Sequence, residues 1–382
     1  MMNTVAFVVV AAVLVQVGTA LSDEADVAKW DPRMAVEKAV VDTNGVKWID
    51  GRFLPLEGRA FGDTKTYYER LPQDVTTNVN GGVRGMRVHT AGMQFRFRTD
   101  SKKLRFRWEN SGDGMVHMPA TGKSGIDVYR YDEKRGKWRF VATGFPKEGG
   151  SMRTVGWKPG EACLVNLPLY NGIKSFALGI ETNATVAALG PRKSGVDKPV
   201  VFYGTSITQG GCCSRPGMSF VNIVGRNLDV PVVNLGFSGS GCMELEMSEH
   251  LARIDASCYV LDCLWNMGTR RVPYPGQTDR NVDDAYEPFI RNLRVKRPDV
   301  PIVMAEQCNV YDGTPDEKDR LVRRLYERLV AEGWKNLVYL PKSDMYTEDG
   351  EGTVDGCHPN DWGMMSMAKA FGGAVKTALK LK

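Results

Sequence analysis

Two rhythms of apolar and polar residues divide the chain. Between about residues 28 and 195 they alternate with a period of two, as in Met93-Gln94-Phe95-Arg96-Phe97-Arg98, Leu104-Arg105-Phe106-Arg107-Trp108, Ile126-Asp127-Val128-Tyr129-Arg130-Tyr131 and Trp138-Arg139-Phe140-Val141. Such alternation gives each strand one buried face and one wet face. Thr99-Asp100-Ser101 supplies turn residues between the first two runs and predicts a hairpin there. Ser175-Phe176-Ala177-Leu178-Gly179-Ile180 reads as the last strand of this half. No helical period longer than two turns interrupts it. The expectation is two sheets packed as a jelly-roll-like β-sandwich over residues 28–195.

Gly190-Pro191-Arg192-Lys193-Ser194-Gly195 breaks this rhythm, and a second one follows over residues 196–382. Continuous β-rich runs at 199–203, 230–235, 258–263, 300–305 and 336–340 alternate with helical patterns, clearest at 282–296, 315–332 and 361–379. Asn360 stands where the N-cap of the last helix belongs. Strands apolar on both faces and separated by helices predict a parallel sheet covered on both sides, a three-layer flavodoxin-like α/β domain of about five strands.

That architecture decides where chemistry can lie, because open parallel sheets bind ligands outside the carboxyl ends of their strands. Ser206 follows the first strand, Gly236 to Gly241 the second and Asn266 the third; Glu306 ends the fourth, and Asp355 with His358 follow the fifth. All fall on one rim. Attack on a carbonyl needs a hydroxyl, a base to take its proton and a carboxylate to orient the base, and Ser206, His358 and Asp355 supply them. Each residue also has an ordinary reading. Thr205 and Thr208 could be helix caps, G-F-S-G-S-G a plain turn, Asn266 a loop cap and His358 a structural imidazole. Asp262, inside an apolar run, needs a buried partner and could pin a neighbouring loop by accepting backbone N–H bonds. The glycine loop could cradle a phosphate, but no suitable Lys follows, and it matches neither a P-loop nor a dinucleotide fingerprint.

Composition narrows the classes further. With 382 residues, 42% hydrophobic and 25% charged, the chain suits two globular domains. Its net charge of +5 is spread out, with no basic run longer than Lys102-Lys103 or Arg270-Arg271, so nothing electrostatic argues for nucleic acid. Residues 5–17 are almost wholly apolar and Gly18-Thr19-Ala20 offers a cleavage site, which reads as a signal peptide (residues 1–20) and an exported protein without a membrane span once mature. No Lys or Arg precedes the run, so an uncleaved anchor is the alternative. The eight cysteines form no C-x-x-C pair, which argues against a zinc site. They are read as buried free thiols or, for Cys212 or Cys213 with Cys242, as a bridge.

At this point a resemblance emerges. Gly204-Thr205-Ser206, Ser238-Gly239, Asn266 and Asp355-x-x-His358 resemble, in order, the four blocks of the SGNH-hydrolase superfamily, the GDSL-like lipases and acylhydrolases. Thr205 replaces the usual Asp, as in the G-T-S-I-T-Q-G-G branch, and Met267 replaces the Asp that often follows the Asn. Gly125-Ile126-Asp127-Val128-Tyr129 is similar to the G-x-D-L-Y signature of a β-sandwich that precedes such hydrolases. The resemblance implies an ester hydrolase without metal or organic cofactor. Ser206 would be the nucleophile, His358 the base and Asp355 the orienting acid, with an oxyanion hole from the Ser206 and Gly239 N–H groups and the Asn266 amide. It further implies deacylation, often deacetylation, of carbohydrates, making an acylated glycan or another small ester the partner. Arg215 and Trp265 are candidate sugar contacts, and no long apolar lid helix suggests a triglyceride substrate. A glycan-binding protein with an inert rear domain and a phosphate-binding module are the rival classes.

Overall fold

A computed structural model describes residues 38–382 except 77–78, 113–114 and 277–279. The export segment read at residues 1–20 lies outside the described residues.

The front half builds β1 (Ala39–Val41), β2 (Val46–Asp50), β3 (Leu56–Glu57), β4 (Gln94–Thr99), β5 (Lys103–Asn110), β6 (Ile126–Asp132), β7 (Lys137–Gly144), β8 (Ser151–Gly156), β9 (Ala162–Asn166), β10 (Ile173–Glu181) and β11 (Val186–Ala188), with short helices α1 (Gly81–Met86) and α2 (Ala120–Lys123). One sheet runs β1-β2-β10-β5-β8; the other runs β11-β4-β9-β6-β7, with β3 added to β4. Their inner faces meet through Phe95, Phe97, Phe106, Trp108, Val128, Val165, Phe176 and Leu178, all buried. Each such side chain contributes about 1.5–3 kcal/mol by leaving water.

The hairpin expected around Thr99-Asp100-Ser101 does not form. β4 pairs with β9 and β5 pairs with β10 and β8, so the turn carries the chain from one sheet to the other. Both strands aim their aromatic faces at the same core from opposite sides, and Phe95 and Phe106 both pack on Phe176. β11 also extends the half beyond the strand expected to be last.

The rear half builds β12 (Val200–Gly204), α3 (Ser206–Gln209), α4 (Phe220–Leu228), β13 (Val232–Gly236), α5 (Leu245–Arg253), β14 (Cys258–Asp262), α6 (Val282–Lys296), β15 (Ile302–Ala305), α7 (Glu317–Ala331), β16 (Leu337–Leu340) and α8 (Asp361–Ala378). The strands are parallel in the order β13-β12-β14-β15-β16, the flavodoxin-like arrangement. Every residue of β12 to β15 is buried, which explains why these strands are apolar apart from Asn234 and Asp262. One face of the sheet packs Tyr203 against Phe289 of α6; the other packs Phe202, Phe220 of α4 and Phe371 of α8. In α6 the buried residues Val282, Tyr286, Phe289, Ile290 and Leu293 follow the helical period, and Asn360 caps α8 as expected.

Polar latches join the halves. Fully buried Arg70 donates to the Gly236 carbonyl at 2.7 Å and to Asn234 and Met86, with its guanidinium over the Phe237 ring. Asp127, the acid of the front signature, accepts from Asn166 at 2.7 Å, from the Gly217 N–H at 2.8 Å and from Arg215 at 2.8 Å. Tyr129 of the same signature also takes a bond from Arg215. A Cβ at Gly217 would stand 2.5 Å from the Tyr129 hydroxyl, so only glycine permits this approach.

All eight cysteines are free thiols, seven of them buried, so the alternative bridge to Cys242 is not made. Among the described residues, no helix is long and apolar enough to cross a membrane.

Candidate active site

The nucleophile turn is built by capping. β12 ends at Gly204, and Thr205 caps α3 by accepting the Ile207 N–H, while its own N–H donates to the Thr208 hydroxyl. Thr205 and Thr208 are therefore caps, as one reading of the sequence had it. Ser206 becomes the first helical residue, a position whose N–H has no acceptor within the helix. Its Oγ lies 3.0 Å from His358 Nε2, and His358 Nδ1 lies 2.7 Å from Asp355 Oδ2. A hydroxyl, an imidazole and a carboxylate in this chain of hydrogen bonds can carry out nucleophilic acyl transfer.

Asp355 is held by its own loop. Its Oδ1 accepts the N–H groups of His358 at 2.6 Å and Cys357 at 3.0 Å. Burial alone would raise its pKa, but these bonds and the imidazole hold it below the usual carboxylate range. The carboxylate thus stays charged and can stabilise an imidazolium. α8 begins three residues after His358 and anchors the loop.

The glycine loop after β13 packs on the nucleophile turn, the Phe237 N–H donating to the Gly204 carbonyl at 2.9 Å. Gly239 has a left-handed φ of +63°, and a Cβ there would meet open space, so the residue faces outward. The neighbouring Ser238 N–H is held by Gln209 Oε1 at 3.1 Å, and Gln209 Nε2 bonds His89 Nδ1 and the Leu169 carbonyl. Burial pushes His89 down to about 3, leaving it a neutral acceptor. Asn266 Nδ2 contacts the carbonyls of Gly241 at 3.1 Å and Phe237 at 3.4 Å, bracketing the same loop. From the front half, the Tyr170 hydroxyl donates to the Ser206 carbonyl at 2.8 Å. Neither Gln209 nor Tyr170 was evident from the sequence; Gln209 at least lies within the G-T-S-I-T-Q-G-G block.

Asp262 pins the nucleophile turn, but through a hydroxyl rather than backbone N–H groups. Its Oδ2 accepts from Thr208 at 2.6 Å. Burial pushes its pKa up to about 7, against the opposing pull of Cys308 and Thr208. The unfolded chain titrates Asp262 near 3.8. The stability that the retained proton contributes is therefore complete below about pH 4 and lost as pH rises through about 7. Asp262→Asn, neutral at every pH, should flatten the fall of unfolding free energy across this window by about 1.4 kcal/mol per pH unit. Urea titrations of both proteins at pH 5 and 8 check this; parallel pH dependence would rule it out.

The remaining sequence candidates have other partners. Arg215 is engaged by Asp127 and Tyr129 and lies over Phe140, so its charge clamps the halves together instead of facing a substrate. Trp265 is partly buried, and its indole N–H donates to the Cys308 carbonyl. The Glu306 carboxylate accepts from Arg323, Tyr339 and the Lys342 N–H. Another histidine, His117 of the front half, does reach the site. Its Nε2 is 3.4 Å from Asp355 Oδ2, and its ring stands edge-on to His358 at 5.3 Å between centroids.

Comparisons agree with the two-domain architecture. Residues 197–376 match the GDSL-like Lipase/Acylhydrolase family, and residues 46–186 match the GxDLY family, described as the N-terminus of Esterase_SGNH_hydro-type. The chain is similar to the structure of a Bacteroides ovatus ATCC 8483 protein assigned as a GDSL-like lipase, at 28% identity and a TM-score of 0.76 over 88% of this chain and 99% of that one. It is similar in fold to the salicylyl-acyltransferase SsfX3 of a tetracycline biosynthetic pathway, at 17% identity, a TM-score of 0.70 and coverage of 88% and 98%. It is also similar in fold to a family two carbohydrate esterase from Clostridium thermocellum in complex with cellohexaose, at 14% identity, a TM-score of 0.54 and coverage of 76% and 93%. A comparison with curated proteins returned no match.

Proposed function

Because the chain is an SGNH/GDSL-like hydrolase with an N-terminal GxDLY domain, we propose that it is a serine esterase removing acyl groups, acetyl above all, from carbohydrates. The observation that carries the reading is the hydrogen-bonded line from Ser206 through His358 to Asp355. Ser206 Oγ attacks the ester carbonyl carbon as His358 Nε2 takes its proton, and Asp355 stabilises the imidazolium. The N–H groups of Ser206 and Gly239 receive the oxyanion. Asn266 adds a third donor by rotating its side-chain amide off its long 3.4 Å contact with the Phe237 carbonyl; each such donor is worth about 100-fold or more in rate. Collapse expels the alcohol, which leaves with the His358 proton. Water, deprotonated in turn by His358, then attacks the acyl-enzyme and releases the acid.

Support for the substrate class is of a different kind. The Clostridium thermocellum esterase of the same fold was captured with cellohexaose. No apolar lid helix was apparent in the sequence, which favours a small acyl group on a polar alcohol. The export signal read at residues 1–20 would bring the enzyme to extracellular or periplasmic glycans. Acetate release from a panel of acetylated glycans, with an aryl acetate as control and Ser206→Ala as blank, tests the proposal. Ser206-dependent release from a glycan is expected. Cleavage of the aryl acetate alone would leave the esterase standing and remove the carbohydrate.

A further inference from the structure

One cluster that shares His358 with the triad offers a metal-binding chemistry that ester hydrolysis does not use. His117, Cys212 and His358 each offer a ligand atom, and the three atoms lie within 4.8 Å of one another. They come from three separate stretches of chain: the front half before α2, the loop after α3 and the loop before α8. The loop after α3 presents Cys212 from a left-handed backbone conformation, φ +67°, and its Sγ contacts the His117 carbonyl at 3.9 Å.

We propose that these residues form an inhibitory site for a soft divalent cation of the zinc type. Two imidazoles and a thiol are donors that zinc prefers and that magnesium and calcium do not. Zinc bonds of about 2.0–2.3 Å place ligand atoms about 3.3–3.8 Å apart, so the cluster must contract by roughly an ångström. His117 is half-exposed and can make that movement. Asp355, 2.7 Å from His358 and 3.4 Å from His117, would orient the imidazoles as carboxylates do behind metal-bound histidines. Binding replaces the Cys212 thiol proton with the metal and releases that proton to solvent.

The consequence for the enzyme follows from which nitrogen His358 has to give. Nε2 faces Ser206 Oγ and Nδ1 faces Asp355, so whichever one the metal takes is lost to the triad. The cation therefore switches the base off. Since His117 belongs to the front half, this control requires both halves.

Two measurements on the full chain test the site. In the first, Ser206→Ala protein is titrated with Co2+ and followed by absorption. One equivalent should bind with a thiolate-to-cobalt charge-transfer band, and Cys212→Ser in the same background should lose the band. His117→Ala or His117→Asn should weaken binding by about 10-fold or more. In the second, Zn2+ should inhibit aryl acetate hydrolysis by the unmodified enzyme and a chelator should restore it. Relative to each variant's own rate, Cys212→Ser and His117→Ala should require about 10-fold more Zn2+. A cobalt spectrum without a sulfur band, or inhibition that neither substitution shifts, overturns the site. The inhibition arm rests on the esterase reading and the cobalt arm does not, so a failure of one is distinguishable from a failure of the other.

Discussion

Ser206→Ala should lower the turnover of an aryl acetate by at least ~10,000-fold while the protein melts within a few degrees of the parent. The serine Oγ has one described partner, His358 Nε2 at 3.0 Å, and the structural bonds of this residue belong to its backbone. Its carbonyl is held by Tyr170 and by the N–H groups of Gly210 and Gly211, none of which the substitution touches. Only the nucleophile is lost, and the oxyanion donors that remain cannot form an acyl-enzyme on their own. Steady-state rates and a calorimetric scan of the same sample are the measurement. Residual activity above a percent would show that another group attacks the ester. A collapsed melting transition would show that the turn depends on the hydroxyl for its shape.

Asp127→Ala should have the largest effect on stability, a loss of about 3–5 kcal/mol, as expected when one partner of a buried charge pair is removed. Asp127 is fully buried, and its carboxylate answers a guanidinium, a backbone N–H and an amide drawn from both halves. The substitution leaves Arg215 with its charge largely enclosed, and the Gly217 N–H without its acceptor. A melting temperature lower by about 10 °C follows. Asp127→Asn should fall between the two proteins, since it preserves one carbonyl acceptor. Activity should decline as well, because Arg215 closes the loop that leaves the nucleophile helix. Melting curves within 2 °C of the parent, a shift worth only about 1 kcal/mol, would remove Asp127 from its place as the joint between the halves.

The parallel half could be read from sequence because each layer writes a different pattern. Strands such as Val200–Gly204 are apolar throughout, having helices on both sides, and helices such as Val282–Lys296 repeat every three to four residues. Ser206, Asp355 and His358 were legible because the chemistry needs those residue types at the ends of those strands. The sandwich was legible only as strands. Alternation at Phe95 and Phe97, or at Phe106 and Trp108, says that one face is buried and does not say which neighbour covers it. Three residues of turn chemistry between two strands suggested a hairpin where the chain in fact changes sheets. Arg215 illustrates a second kind of miss. An arginine near a nucleophile suggests substrate, and the carboxylate that claims it lies 88 residues away. Gln209 and Tyr170 support the site through partners 29 and 36 residues distant, a relation that no local pattern records.

The position of Arg70 has a consequence for the order in which the protein matures. Its acceptors at Asn234 and Gly236 lie 164 and 166 residues later in the chain. At ~5–20 residues per second, the ribosome delivers them roughly 10–30 s after the arginine. For that interval the newborn sandwich exposes a cation on the seam that Phe237 will later cover. Burying a guanidinium without acceptors is costly, so sealing the seam over it is unfavourable until both carbonyls are in place. The growing front half therefore keeps an open, water-facing edge, and the seam closes only when the second strand of the parallel sheet has been made.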